Sequence, residues 1–187
     1  DSTLYRTFAN CYALNPLNVS TWNTAKVTNM EETFANCLAV TDLDVSGWNT
    51  AKVTTMAGTF LNCVNLISLD VSSWNTALVT NMSQMFKGLS RINQLDLGSF
   101  NTTKVTDMSG MFYGDRRLRT IYVNATNWKV TKVKSSADMF YNTIYLRNYD
   151  AEYTNHQKAN TTSTGYLTAY QTPVTLITGA DFAAQLT

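Results

Sequence analysis

Three carboxylates recur at one spacing: Asp44, Asp70 and Asp96 lie 26 residues apart. If copies of that spacing stack, neighbouring carboxylates come within ~5 Å of each other. Such a row offers two kinds of chemistry. It can bridge calcium, which takes carboxylate oxygens, or it can meet a cationic ligand. It can also stand without a counter-ion, because like charges ~5 Å apart in water repel by only ~0.8 kcal/mol. Ser20, Ser46 and Ser72, two residues on in each repeat, offer hydroxyls to the carboxylates. The purely structural reading is therefore an Asp–Ser network. Asp42 lies beside the row; Asn18, Tyr122 and Asp150 extend it.

Cys11, Cys37 and Cys63 share the same spacing. Three stacked thiols cannot all pair, and parallel side-chain vectors give poor disulfide geometry. No His accompanies them, which argues against zinc. Buried free thiols are the expectation, and Leu89 in the same slot supports it. His156, the sole His, has no Ser, Cys or carboxylate at a catalytic spacing and is expected on the surface. No nucleophile–base pair or metal cluster stands out, so an enzyme is disfavoured.

These residues are positioned by an internal repeat, which decides the architecture before any other feature. Phe8, Phe34, Phe60, Phe86 and Phe112 are each 26 apart, and Phe140 follows after 28. Trp22, Trp48, Trp74, Phe100 and Trp128 keep the same steps, so the two extra residues fall between Val123 and Trp128. Leu69 and Val71, with their equivalents Leu17/Val19, Leu43/Val45, Leu95/Leu97 and Ile121/Val123, predict short strands stacked as a parallel sheet. Thr28, Thr54, Thr80 and Thr106 suggest helix N-caps. Met30, Met56, Met82 and Met108, four residues before each Phe, then fit one face of a short helix. Asn10, Asn36, Asn62, Gly88, Gly114 and Asn142, two residues after each Phe, suit a left-handed helix-ending position. Met and aromatic residues at fixed slots read as core ladders. Asn23, Asn49, Asn75 and Asn101 read as an inward ladder bonding loop backbone.

Net charge is +1, which gives no general case for nucleic acid or a polybasic membrane contact. No apolar run approaches the ~20 residues of a membrane span. Residues 1–98 carry 5 Lys/Arg and 7 Asp/Glu; residues 99–187 carry 9 and 6. Asp115-Arg116-Arg117-Leu118-Arg119, with Lys129, Lys132 and Lys134, gives the late repeats a basic tint. Its bland reading is a solvated face; its functional reading is contact with an anionic glycan. The periodicity fades near Ile144. Two strands, at 165–170 and 174–178, and a helical turn at 180–186 are expected beyond it.

F-x-x-C-x-x-L, in Phe8–Leu14 and Phe60–Leu66, precedes L-D-V-S-x-W-N-T-x-x-V-T-x-M. The pattern resembles the repeat of BspA-like leucine-rich-repeat bacterial surface proteins, found in lactobacilli, enterococci, listeriae and mycoplasmas. The resemblance covers about residues 1–143. It implies an α/β, right-handed leucine-rich-repeat solenoid, with a parallel sheet of short strands on one face and short helices on the other. It also implies an extracellular, cell-surface location. Residues 144–187 are then a C-terminal cap or the start of another module, and the chain is expected to be a piece of a longer, anchored protein. The expected function is non-enzymatic adhesion to a host or neighbouring-cell glycan or protein. The rival is a spacer that holds another domain away from the surface. The candidate ligand-binding residues are Asp42, Asp44, Asp70, Asp96, Arg119 and Tyr122 on the open sheet face. Tyr122 and an exposed Ile67 hint at adhesion over spacing.

Overall fold

The computed structural model describes residues 2–170. Each repeat forms one rung, and backbone N–H groups of one rung donate to carbonyls of the next. Met30, Glu32, Phe34 and Asn36 donate to Thr55, Ala57, Thr59 and Leu61 at 2.7–3.0 Å. The intervening amides of Thr33, Ala35 and Cys37 turn back on Met30, Glu32 and Phe34 at 3.1–3.3 Å. The result is a chain of β-turns. Every second amide ties the rung to its neighbour.

That pattern replaces the expected helices. An α-helix sends each N–H to the carbonyl four residues earlier and holds every φ negative. Here Glu32 and Asn36 have φ of 51° and 59°, and Gly58 and Asn62 have 60° and 56°. The spacing of Met30 and Phe34 satisfies both arrangements, since both are fully buried along the turn chain while Glu32 between them is only half-buried. The left-handed assignment at Asn10, Asn36, Asn62, Gly88, Gly114 and Asn142 holds, with φ of 56–79°. It does not end a helix. The Thr residues are not N-caps either: Thr54, Thr80 and Thr106 donate their amides to Thr28, Thr54 and Thr80 of the preceding rung at 2.8–2.9 Å.

Among the described residues, regular secondary structure is confined to two small parallel sheets and one 3-10 turn, His156–Lys158. The expected α/β leucine-rich-repeat solenoid, with a helical layer behind a continuous sheet, is therefore corrected: the described residues contain no α-helix. The first sheet pairs β1 (Ser2–Thr3) with β2 (Val27–Asn29). Single parallel bridges continue it through Asn29, Thr55, Asn81, Asp107 and Ser135. The sequence reading missed this ladder. The second sheet orders β3 (Gln94–Leu97), β4 (Thr120–Val123) and β5 (Thr168–Ala169). Of the five expected strand slots, only those at Leu95/Leu97 and Ile121/Val123 lie in strands. In earlier rungs the indole N–H of Trp48 and Trp74 takes the carbonyls of Val19 and Val45, each at 3.0 Å. Those acceptors are then engaged at the place where a ladder would use them.

The core is a set of ladders. Phe8, Phe34, Phe60, Phe86, Phe112 and Phe140 stack with centroids 5.5–6.0 Å apart. Trp22, Trp48 and Trp74 stack at 6.4 Å. All seven Met are fully buried. Thr, not Asn, forms the inward polar ladder: buried Thr50 and Thr76 donate to the carbonyls of Asn75 and Asn101 at 2.9 Å. Asn49 and Asn75 are exposed instead and accept from Ala51 and Ala77 two residues on, at 3.0 Å.

The aperiodic segment closes the last rung. Thr154 supplies the carbonyl that Phe140 N–H needs, at 2.8 Å. Trp128 donates to Ala159 O at 3.1 Å. Buried Tyr166 meets Phe140 edge-on at 5.2 Å. The extra residues before Trp128 form a tight turn, with Trp128 N–H on Asn124 O at 2.8 Å. The expected elements at 174–178 and 180–186 lie outside the described residues. No described helix is long and apolar enough to cross a membrane.

Candidate functional site

Consecutive rungs present equivalent residues outward beside the second sheet. The register is explicit where strands pair: Asp96 faces Tyr122, and Tyr122 faces Thr168. Thr168, not Asp150, thus continues the row. Asp150 sits in the closing segment, where its carbonyl accepts from the Tyr166 hydroxyl at 2.9 Å.

Each acid in the row has a local partner. Asp44 Oδ1 accepts from Ser46 Oγ at 2.6 Å and from Ser46 N at 3.1 Å. Asp70 does the same with Ser72 at 2.6 and 3.0 Å. Asp96 accepts from Gly98 N at 2.9 Å, and Asn18 repeats the pattern with Ser20. These are side-chain turns that organise the residues following each strand slot. The Ser46 hydroxyl, and then its amide, hold the Asp44 carboxyl below the usual carboxylate range. Asp42 is exposed, with its Oδ2 3.3 Å from the Thr41 hydroxyl. Asp42, Asp44, Ser46, Ser68 and Asp70 line a shallow groove of about 250 Å³. No group of three or more His, Cys, Asp or Glu among the described residues is placed to hold a metal ion. Calcium at the row therefore has no geometric support.

The other two predicted residues belong to neighbouring grooves. Half-buried Tyr122 lines one of about 320 Å³ with Gln94, Asp96, Thr168 and Tyr170. Arg119 lines one of about 340 Å³ with Arg91, Asn93, Arg117 and Tyr145. Its guanidinium lies 5.1 Å from the centre of the Tyr145 ring. The outward surface thus runs from an acidic part in the early rungs to a basic one in the late rungs. Ile67 is 53% exposed, as expected.

Two groups were misread from sequence. His156 is not a solitary surface residue: its Nδ1 lies 2.6 Å from Ser136 Oγ. The same hydroxyl also accepts the His156 backbone N–H at 3.3 Å. The pair docks the closing segment onto the rung in which Ser136 takes the Met slot. The spacing of 20 residues, across a break in the repeat, hid it. Asp115 is not part of the exposed basic tint. It occupies the Cys slot, fully buried, with Oδ1 accepting from Leu89 N at 2.8 Å and Oδ2 unpartnered. Burial pushes its carboxyl well above the usual range. The repeat phase was the signal for this, since the Cys slot is buried at Cys37, Cys63, Leu89 and Thr143 and half-buried at Cys11 in the first rung. The three thiols are free. Cys37 and Cys63 each donate to a Phe carbonyl of the preceding rung at 3.2 Å, and burial pushes the Cys37 thiol up to about 11.

A family model described as a Mycoplasma protein of unknown function, DUF285, matches residues 2–120 and, in a second placement, 36–153. The chain belongs to the DUF285 family. No curated protein and no solved structure matches it. The first placement falls on the stacked rungs; the second also takes in the start of the closing segment, and both stop before β5.

Proposed function

We propose that this DUF285 chain is a non-enzymatic binding module of a bacterial surface protein, of the BspA-like repeat kind. In this reading it adheres to a glycan or protein on a host or neighbouring cell. The observation that carries the proposal is the outward file Asn18, Asp44, Asp70, Asp96, Tyr122 and Thr168. One polar or aromatic side chain per rung is set at repeat-fixed spacing on a surface that the core does not need. Repeat stacks are suited to such extended recognition surfaces. The recurring L-D-V-S-x-W-N-T motif supports the surface-protein comparison. A binding role is favoured over catalysis because the Ser136 hydroxyl is shared between the His156 ring and the His156 amide, which suits docking of the closing segment. Beads coated with residues 1–187 and washed over cultured animal cells and matrix glycans test the proposal. Retention above beads carrying the heat-unfolded chain is the expected result. Equal retention of both would contradict adhesion and leave the spacer.

A further inference from the structure

We infer that the groove formed by Arg91, Arg117, Arg119, Asn93 and Tyr145 is a binding site for an anionic polysaccharide bearing sulfate or carboxylate groups. The inference rests on the adhesion reading and names the ligand class for it. Arg91 and Arg117 occupy one slot on successive rungs, as do Asn93 and Arg119. The β3–β4 register sets those rungs side by side, with Arg119 N–H on Asn93 O at 2.8 Å. Three guanidiniums thus converge on one groove of about 340 Å³. Neighbouring rungs are ~4.8 Å apart, so like charges face each other across one strand spacing. No carboxylate lines the groove. Among the described residues the ion pair is elsewhere, between Arg6 and Glu32 at 3.0 Å. All three arginines are exposed.

The chemistry of the groove selects the ligand. Planar guanidinium forks match carboxylate and sulfate oxygens in a bidentate way that a lysine ammonium does not. Tyr145 holds Arg119 by a cation–π contact at 5.1 Å, which restricts its approach direction. The Tyr145 ring is still 54% exposed and offers a flat apolar surface to the C–H face of a sugar. Asn93 adds an amide for hydroxyl groups. A nucleic acid is the poorer fit: net charge is +1, and a single aromatic ring lines the groove instead of a run of stacking platforms.

The test uses the full chain and heparin as the probe, with single-stranded DNA of equal charge as competitor. Removing the arginines together, as R91A/R117A/R119A, is expected to weaken heparin binding by about tenfold or more. The variant K26A/K52A/K104A removes the same three charges from exposed positions on another slot. It is expected to bind within about twofold of wild type, and the triple Arg→Lys variant to fall between the two. Equal losses in the arginine and lysine variants would overturn the inference. So would no heparin binding by wild type, or displacement by DNA as readily as by heparin. Bead adhesion run in parallel separates the two readings. If wild type adheres to cells but the arginine variant binds heparin as well as wild type does, the groove assignment fails and adhesion stands. If the arginines carry heparin binding but wild type adheres to no cell, adhesion fails and the groove stands.

Discussion

Asp115 stands in a slot that otherwise holds Cys11, Cys37, Cys63, Leu89 and Thr143. A carboxyl there is costly if charged, because burial removes its solvation and Oδ2 has no partner. Its folded carboxyl is raised above the ordinary value, with burial the main cause. The folded chain therefore holds a proton that the unfolded chain releases once pH exceeds the ordinary Asp range of about 4. In that window stability falls as pH rises. Asp44 acts in the opposite sense: its lowered carboxyl adds stability above the ordinary range that is lost on acidification. Asp115→Asn isolates the first effect, since it keeps an oxygen for Leu89 N–H. Urea unfolding at several pH values is expected to show wild type losing stability relative to Asp115→Asn as pH rises from about 4. Parallel curves for the two proteins would mean that the carboxyl is not held neutral.

At the scale of the element, the turn chain makes a prediction opposite to that of a helix. Glu32 lies where the sequence suggested a helix interior, yet its φ is 51°. Gly58 and Gly110 occupy the same slot in later rungs, at φ of 60° each. In a helix, Gly costs about 1 kcal/mol relative to Ala. In a left-handed position the order reverses, because Cβ is penalised by roughly 1–2 kcal/mol. Glu32→Gly should therefore be more stable than Glu32→Ala by about 1 kcal/mol. Both variants lose the Arg6–Glu32 contact equally. A more stable Ala variant would restore the helix. The glycines of this slot were visible in the sequence, but they alternate with Arg6, Glu32, Gln84 and Asp138, which hid the shared backbone requirement. The strand slots were overread for a related reason. The L-x-x-L-x-V alternation reports which side chains face inward, not whether the backbone pairs, and Trp48 and Trp74 engage the acceptors beside it.

For the whole molecule, the repeat length was enough to predict which residues stack. The Phe, Trp, Met and Cys ladders follow from one period, because any closed rung of 26 residues places equal phases above each other. What lies between the ladders depends on where each amide donates, and side-chain periodicity does not encode that. The closing segment was legible only as a break. Its contacts, from Tyr166 on Phe140 to Thr168 beside Tyr122, join residues with no common phase. The candidate face was legible in part. The Asp–Ser pairs and exposed Asp44 and Asp70 follow from the strand alternation. The grouping of Arg119 with Arg91, Arg117 and Tyr145 required the register of β3 on β4.

The central claim is that recognition uses the outward face and that the chain still folds when the charges of that face are removed. Asn18 shows how to test this, since it keeps the turn to Ser20 without a carboxylate. A chain carrying D44N/D70N/D96N/R119A/Y122T retains the side-chain turns and strips the face of its charged and aromatic groups. Adhesion of coated beads to cells should be measured beside thermal unfolding of the same preparation. The account predicts unfolding within about 5 °C of wild type and adhesion reduced to the level of beads carrying the heat-unfolded chain. A cooperatively folded variant that adheres as well as wild type would contradict it.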